Sequence, residues 1–417
     1  MKVLSVVLSG FVAVLVALAV LPAPAQAARW MPHEGALFNV PRDPVKQFTL
    51  ENQLVAAINH AHRGSYIRIS VFSFDRKKVA YALVKAHRRG VHVQVLSNDH
   101  QFTGANRILR RALGANRFKK SFSYQCTHGC RSYAENLHSK FFLFSHTGGA
   151  YNTVMTGSLN FTMNSVRNQY NDLWTSTGSV RLFKAFLTVY NQMRQDKPAN
   201  PLWFVQKPIP GIELAVTPYP NFSAKNDPIM SILNKVRCWG AKGGTGTPDG
   251  RTIVRVNMHS WNNPRGVYLA QKVRSLYAHG CAVQLMYGMA GSAVRSVFAN
   301  RTSRGYIPVH TDGYDTNMDG VIDLYSHQKE LLISGHYGKD RSFRQVLTGS
   351  SNWNDDGLIG DEEIFIIQRA PAYKAYTRNF KFIWTKRSHQ VHYIKYQGAR
   401  MTTGTQLSTA GPAWEND

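Results

Sequence analysis

Hydrophobic and polar residues follow two periods along the chain, one typical of strands and one typical of amphipathic helices. The stretches "YIRISVFSF", "DRKKVAYALVKAHRRG" and "VHVQVLSND" predict, in order, a strand, a helix and a strand. The same order returns in "TIVRVNMHSW", "NNPRGVYLAQKVRSLYAHG" and "CAVQLMYG". A helical stretch precedes each set, "VKQFTLENQLVAAINHAHRG" and "NDPIMSILNKVRC". The pattern therefore predicts an α/β protein made of two copies of one unit.

A polar motif repeats at corresponding places in the two copies. Each copy has a histidine and a lysine separated by one residue, and then, beyond a hairpin, a Gly-Ser-x-Asn set. In the first copy these residues are His138, Lys140, Gly157, Ser158 and Asn160; in the second they are His327, Lys329, Gly349, Ser350 and Asn352. A longer hairpin loop in the second copy explains the slightly different spacing.

The geometry of a strand explains why these residue types stand together. Alternate side chains leave the same face of an extended strand, so His138 and Lys140 share one patch. The glycine frees the backbone, and Ser158 and Asn160 then add a hydroxyl and an amide. Such a set suits a phosphate oxyanion. A pseudo-twofold axis between the two copies would bring both patches together.

The paired H-x-K and G-S-x-N sets resemble the phospholipase D superfamily, whose signature is H-x-K followed after four residues by Asp. Ser145 and Ser334 stand where that Asp is expected. The resemblance implies an α/β fold with a duplicated phospholipase D-like unit. Two mixed β-sheets flanked by helices would then be related by a pseudo-twofold axis, with the halves at residues 28–205 and 206–417.

The resemblance also implies a mechanism that needs no metal. His138 is expected to attack the phosphorus and form a phosphohistidine, while His327 protonates the leaving alkoxide. The groups expected to bind the non-bridging oxygens are Lys140, Lys329, Asn160 and Asn352, with Ser158 and Ser350 as further substrate-binding residues. An exchange of roles between the two histidines stays open.

Superfamily members tend to carry a carboxylate shortly after the Gly-Ser-x-Asn set, where it orients and charges a histidine. The stretch "GDEEIFI" supplies Glu362 and Glu363 in the second half, and we align Glu363 with Asn171 of the first half. We therefore predict that Glu363 raises the pKa of His327. Asn171 would hold His138 through an uncharged hydrogen bond.

The N-terminus and the cysteines indicate an exported protein. Residues 1–27 have Lys2, an apolar run and a final Ala-Gln-Ala, the pattern of a secretory signal peptide, although a retained anchor stays an alternative. We expect a secreted, extracellular protein with disulfides Cys126–Cys130 and Cys238–Cys281. A zinc site that uses His128 is the alternative for the first couple.

Charge adds information about the substrate. The formal net charge is +26, from 50 Lys and Arg against 24 Asp and Glu, so the protein should attract polyanions such as nucleic acid or anionic lipid surfaces. The basic residues are scattered and do not form a tail. The charge is also compatible with a simple role in solubility or with adaptation to an acidic environment.

The stretch "DTNMDGVID" resembles the start of a calcium loop. Asp315, Asn317, Asp319 and Asp323 take the ligand positions, but Ser326 stands where the pattern has its last Glu. A structural calcium ion is one interpretation, and a solvated acidic turn is the other. Catalysis requires no cofactor in either case.

Three functions remain open. The first is a secreted phospholipase D-type phosphodiesterase that hydrolyses or transfers a phospholipid head group. The second is a metal-independent secreted nuclease, and the third is a non-catalytic protein that binds polyanions. Two complete His-Lys pairs argue against the third, and nothing in the sequence indicates an obligate protein partner.

Overall fold

The computed structural model describes residues 29–391, so the predicted signal peptide lies outside the described residues. Two β-sheets with mixed strand directions lie between layers of helices. This confirms the predicted α/β fold of two mixed sheets flanked by helices. Within residues 29–391, no helix is long and apolar enough to cross a bilayer.

The first sheet comes from the N-terminal part of the chain. Its strands, together with the short strand β7, are β1 (Gly35–Phe38), β2 (Tyr66–Val71), β3 (His92–Asn98), β4 (Phe122–Cys126), β5 (Phe141–Thr147), β6 (Ala150–Gly157), β7 (Gln169–Tyr170) and β8 (Asp172–Ser176). The helices are α1 (Thr49–Asn59), α2 (Lys77–Arg88), α3 (Gly104–Leu113), α4 (Met163–Arg167) and α5 (Val180–Met193), and a 3-10 turn (Lys46–Phe48) precedes α1. The sheet order is β1-β8-β6-β5-β2-β3-β4.

The second sheet comes from the rest of the described chain. The strands there are β9 (Phe204–Ile209), β10 (Ile212–Val216), β11 (Val236–Arg237), β12 (Ile253–Trp261), β13 (Ala282–Ala290), β14 (Val309–Thr311), β15 (Tyr325–Ser326), β16 (Lys329–Tyr337), β17 (Asp340–Gly349), β18 (Glu363–Ile367) and β19 (His389–Gln390). The helices are α6 (Pro228–Asn234), α7 (Asn263–Ala278), α8 (Ser292–Ala299), α9 (Asp356–Ile359) and α10 (Ala370–Lys386). The sheet order is β19-β14-β13-β12-β16-β17-β18-β10-β9, with β11 beside β16.

The two sheets repeat one topology. In the first sheet, strands β2, β3 and β4 are parallel, and β5, β6 and β8 continue the sheet in antiparallel pairs. The second sheet repeats this arrangement with parallel strands β12, β13 and β14 and antiparallel strands β16, β17 and β18. Two residues after the end of each crossover helix lies a glycine with positive φ, 91° at Gly90 and 107° at Gly280, a conformation that a side chain would strain. Strands β16 and β17 have 9 and 10 residues against 7 and 8 in β5 and β6. Longer strands therefore explain the wider motif spacing, and the prediction of a longer hairpin loop is wrong.

The largest apolar cluster lies between the two sheets and draws on both halves. Helices α5 and α10 contribute to it, and Phe186 of α5 lies 5.8 Å from Phe365 of β18 between ring centroids. Separate clusters bury the outer faces, under α1–α3 on one side and α6–α8 on the other. The chain is therefore layered as helices, sheet, helices, sheet and helices.

Both predicted disulfides are present. Cys126 at the end of β4 is bonded to Cys130, and Cys238 is bonded to Cys281 at the start of β13. The first bridge closes a short loop on the segment that leads into the first H-x-K motif. The zinc alternative for Cys126 and Cys130 is therefore wrong in this structure, because both sulfurs are in the disulfide.

Candidate active site

Both H-x-K motifs lie at the interface between the halves, and each is held there by the other half. The peptide N–H of His138 donates to the carbonyl of Asp361 at 3.0 Å, and that of His327 donates to the carbonyl of Tyr170 at 2.9 Å. Strand β15, just before His327, pairs with β7 of the first half. The two histidines are 3% and 1% exposed. Assembly of the two halves therefore forms one buried centre.

The imidazole of His138 is anchored by a carboxylate of the second half. Its Nδ1 lies 2.8 Å from Oε1 of Glu362, and both side chains are buried. Burial raises the pKa of Glu362 to about 7, and the positive charge of Lys140 acts in the opposite direction. With Nδ1 engaged by this carboxyl group, Nε2 is the ring nitrogen left for chemistry at phosphorus.

The imidazole of His327 is anchored by neutral groups of the first half. Its Nδ1 lies 2.9 Å from the carbonyl oxygen of Ser158 and 3.0 Å from Oδ1 of Asn171. The amide nitrogen of Asn171 donates to Ser165 at 3.1 Å, which identifies Oδ1 as the oxygen facing the ring. Both partners accept, so Nδ1 of His327 must carry a proton. Proton transfer to a substrate then falls to Nε2.

These contacts correct the prediction for Glu363 and for its alignment. Glu363 does not contact His327; its carboxylate accepts the N–H of Lys140 at 3.1 Å and the hydroxyl of Thr156 at 3.2 Å. Burial raises its pKa to about 8. The histidine held by Asn171 is His327 and not His138, and the carboxylate that orients a histidine is Glu362.

The cause of the error is a slip of one residue in the alignment. The N–H groups of Ser158 and Ser350 donate to the carbonyls of Asp172 and Glu363 at 3.2 and 3.0 Å, so these two acidic residues are equivalent. A slip of one residue moves a side chain to the other face of a strand. Alignment of the strands "DLWTS" and "EIFII" would have placed Asn171 opposite Glu362.

The two predicted substrate-binding serines have a different role. The hydroxyl of Ser158 donates to Oδ1 of Asn171 at 2.9 Å, and that of Ser350 donates to Oε2 of Glu363 at 3.1 Å. A hydroxyl has one proton to donate. In this structure both hydroxyl protons are used within the protein, and a substrate-binding role for Ser158 and Ser350 stays a prediction. Ser158 instead contributes its carbonyl to His327 and fixes the amide of Asn171.

The two lysines and two asparagines surround the histidines in matching ways. Nζ of Lys140 donates to the carbonyl of His138 at 2.5 Å, and Nζ of Lys329 donates to that of His327 at 2.7 Å. An ammonium group has three donors, so each lysine can hold this carbonyl and also bind an anionic oxygen. Both lysines are completely buried. The centre therefore concentrates positive charge where a phosphate would lie.

Each asparagine is oriented by the strand that precedes it in its half. The N–H of Ser73 donates to Oδ1 of Asn160 at 3.3 Å, and the N–H of Ser260 donates to Oδ1 of Asn352 at 3.3 Å. Because Oδ1 accepts in both cases, the NH2 end of each amide is the end that can donate to a phosphate oxygen. Sequence reasoning did not identify the roles of Ser73 and Ser260.

The serines that replace the expected motif Asp lie further along β5 and β16. Oγ of Ser145 accepts the N–H of Tyr66 at 2.8 Å, and Oγ of Ser334 accepts the N–H of Gly246 at 3.2 Å. In each half the serine satisfies a neighbouring backbone donor. Neither serine contacts the histidines, so the replacement leaves the catalytic groups in place.

The electrostatics of the two histidines differ. Burial lowers the pKa of His327 well below its usual range, and the charges of Lys329, His259 and Lys140 lower it further. His138 instead has the carboxyl group of Glu362 at its Nδ1. The two halves therefore supply one imidazole beside a carboxyl group and one beside a neutral amide.

The acidic loop between β14 and β15 stays a separate feature. Oδ1 and Oδ2 of Asp315 accept the N–H groups of Asp319 and Gly320, and Asp323 forms an ion pair with Arg42 at 3.1 Å. In the described part of the chain, no group of three or more His, Cys, Asp or Glu side chains is arranged to hold a metal ion. Calcium binding by Asp315, Asn317, Asp319 and Asp323 remains a prediction.

Comparisons with known proteins agree with this geometry. The family described as "Cardiolipin synthase, PLD-like domain" matches residues 54–194, which include the first H-x-K and G-S-x-N sets. The phosphatidylserine synthase of Haemophilus influenzae Rd KW20 has a similar structure, with 12% identity and a TM-score of 0.53. The match covers 88% of this chain and 90% of that synthase. The domain match at residues 54–194 and the shared fold support membership of the phospholipase D superfamily.

A second solved structure shows a similar fold within a longer chain. The polyphosphate kinase of Porphyromonas gingivalis matches 88% of this chain with 11% identity and a TM-score of 0.53. The chain spans 52% of the length of that kinase. At these identities the likeness concerns the fold alone. No curated protein matches the sequence. Members of the phospholipase D superfamily are enzymes that act on phosphodiesters, and this chain has the paired motifs of such enzymes.

Proposed function

We propose that the protein is a secreted, metal-independent phospholipase D-type phosphodiesterase that hydrolyses or transfers a phospholipid head group. The observation that carries the proposal is the pair of buried histidines, each anchored through Nδ1 by the opposite half. Glu362 anchors His138, and Asn171 with Ser158 anchors His327. In the proposed reaction the two rings act on a single phosphorus through their Nε2 atoms, since Nδ1 of each ring has the anchoring role.

His138 is the nucleophile in this proposal, for a reason that differs from the sequence argument. When Nε2 bonds to phosphorus, the imidazole ring becomes positively charged. A carboxylate at Nδ1 stabilises that charge, and Glu362 lies at 2.8 Å from this atom. Asn171 offers His327 no such charge. The carboxylate therefore favours His138 as the residue that carries the phosphoryl group.

His327 is the general acid. Its Nδ1–H is held by two oxygen acceptors, so the second proton of the imidazolium resides on Nε2. Because burial lowers the pKa of His327, the protonated ring is a strong acid toward the leaving alkoxide. The same low pKa means that this imidazolium is populated chiefly at acidic pH.

The reaction then has two displacements. Nε2 of His138 forms a bond to phosphorus as the phosphorus–oxygen bond to the leaving group breaks, and His327 gives its proton to the departing oxygen. Neutral His327 next takes a proton from water or from an acceptor alcohol, whose oxygen attacks phosphorus as the phosphorus–nitrogen bond breaks. Lys140 and Lys329, with the amides of Asn160 and Asn352, bind the non-bridging oxygens throughout.

Two observations support a lipid substrate. The family description names cardiolipin synthase, and the phosphatidylserine synthase resembles the chain over 90% of its own length. The net charge of +26 suits an anionic lipid surface but also supports the nuclease alternative. Secretion rests on the sequence pattern of residues 1–27.

The first experiment exposes the mature protein, with EDTA present, to phospholipid vesicles and to single- and double-stranded DNA. Released head group and DNA fragment length are measured in parallel, with His138→Asn as the inactive control. We expect head-group release that depends on His138. Cleaved DNA with intact lipid would replace the proposal by the nuclease, and activity that survives in His138→Asn would refute the mechanism for either substrate.

A further inference from the structure

The two halves differ in the aromatic residue that packs against each catalytic histidine. In the first half this residue is Phe72, whose ring centroid lies 5.0 Å from that of His138. In the second half it is His259, 4.6 Å from His327 with the rings tilted by 57°. The two are equivalent, since each directly precedes the serine whose N–H orients the asparagine of its half.

The ring of His259 is held in place by defined contacts. Its Nδ1 lies 3.2 Å from the carbonyl oxygen of Ser326, so this nitrogen carries a proton. One face is stacked on Tyr325, with centroids 5.1 Å apart, and the residue is 1% exposed. A phenylalanine fills the same place in the first half. Packing alone therefore does not require a histidine at position 259.

The groups around this histidine pair are mostly positive. Lys329 faces it from its own half, and Lys140 and His138 face it from the other half; all three lower the pKa of His327. Behind Ser326 lies Asp312, whose Oδ1 accepts the N–H of Ser326 at 3.1 Å and whose pKa is raised to about 7 by burial. Below that pH Asp312 contributes little negative charge.

Two imidazoles at this separation strongly disfavour double protonation. Like charges in a buried site repel each other far more than charges in water, and the nearby lysines add to the repulsion. Beyond the Nδ1 proton that each neutral ring carries, the pair therefore accepts at most one further proton in the free enzyme, and the two rings compete for it. The first half has no such competition, because Phe72 does not titrate.

We propose that His259 is a positioning residue for the general acid: it competes with His327 for the one added proton and so sets the pH range in which His327 protonates the leaving group. This inference rests on the proposed function, because it assumes that His327 is the acid. Substitution of His259 by glutamine removes the titratable ring and retains an N–H for the carbonyl of Ser326. His327 should then hold its proton to higher pH.

The test compares wild type with His259→Gln and His259→Phe, and uses His100→Gln as the matched control. His100 is a histidine of the first half that is stacked on Phe72 with ring centroids 4.1 Å apart. Imidazole nitrogen NMR follows the titration of His327, and kcat/KM for head-group release is measured as a function of pH. We expect His259→Gln to move both the titration and the alkaline limb upward by about one pH unit. His100→Gln should leave both at the wild-type pH.

The two readouts separate the inference from the proposed function. If His259→Gln changes the melting temperature or KM but neither the titration of His327 nor the alkaline limb, His259 has only a packing role and the inference is wrong. The same conclusion follows if His259→Phe, which copies the first half, behaves as wild type in both measurements. Absence of any His138-dependent turnover would overturn the proposed function, while the NMR titration would still decide whether the two rings compete for the added proton.

Discussion

Replacement of Glu362 by glutamine tests the carboxylate at the nucleophile. Glutamine has the same shape, and its amide oxygen can accept the Nδ1–H of His138 where the carboxylate now lies at 2.8 Å. The orientation of the ring is then preserved, and only the charge is removed. The chain itself contains the neutral version of this contact, since Asn171 orients His327 at 3.0 Å.

The expected magnitude follows from the hydrogen bond. A hydrogen bond to a charged group stabilises by about 1.5–3 kcal/mol and a neutral one by about 0.5–1.5 kcal/mol. The difference of about 1–2 kcal/mol appears when the ring becomes cationic on phosphorylation, so kcat/KM should fall about 5- to 30-fold. Glu362→Ala removes the orienting acceptor as well, and it should fall further, by about 10³-fold.

The assay measures head-group release by both variants across pH, with melting temperatures to confirm folding.

Burial raises the pKa of Glu362 from 4.5 to about 7, so the folded state favours the protonated carboxyl group. The stability that this group contributes is present at low pH and is lost as the pH rises from 4.5 to about 7, by about 3 kcal/mol in total. Glu362→Gln should lack this loss. Equal activity of Glu362→Gln and wild type would refute a role for the charge, and equal activity of the two variants would refute the separation of charge from orientation.

Three further predictions concern other parts of the molecule. His327→Asn should slow release of an alkyl head group about 10²–10⁴-fold but should slow cleavage of a nitrophenyl ester much less, because that leaving group needs no proton from an acid. Phosphorylated His138 should then be detectable by mass spectrometry. Equal losses with the two substrates would exclude the acid role of His327. Glu330→Gln should stabilise the protein by about 2 kcal/mol at pH 8 and little at pH 5. Burial raises the pKa of Glu330 well above its usual range, and neither carboxyl oxygen has a hydrogen-bond partner among the described residues. Chemical unfolding at both pH values measures the effect, and an equal effect at both would contradict the prediction. Replacement of both Cys126 and Cys130 by serine should lower the free energy of unfolding by about 2 kcal/mol. Calorimetry measures this change, and an unchanged unfolding transition would contradict the prediction.

The duplication and the catalytic pairs were predictable because they are local. The spacing of His138 and Lys140 on one strand, and its return at His327 and Lys329, require only the strand period and a repeat search. The disulfide pairs were predictable for a similar reason, since Cys126 and Cys130 lie in one short loop. The α/β fold follows from the alternating strand and helix periods and from the superfamily resemblance.

The partners of the histidines were not predictable from local patterns. Each histidine is oriented by residues that follow the Gly-Ser-x-Asn set of the other half, and no spacing in the sequence carries that information. The choice between Glu362 and Glu363 depends on strand register, where one residue decides which face a side chain occupies. Ser158 and Ser350 were assigned to phosphate because a hydroxyl near a phosphate site suggests a ligand, whereas its single proton is used within the protein.

The exchange of anchors between halves explains how a duplicated site can perform an asymmetric reaction. In two identical halves both histidines would have the same anchor, and neither would be favoured as nucleophile. The pair Glu362 and Asn171 removes this equality at equivalent positions, with a carboxylate beside the ring that must become a phosphorylated cation. Burial and the nearby positive charges lower the pKa of His327, whose anchor Asn171 is neutral, and in the proposed mechanism this makes its imidazolium a stronger acid. In the proposed mechanism, the roles of the two histidines are thus assigned by one difference between the halves, and the two Glu362 variants measure how much of the rate depends on it.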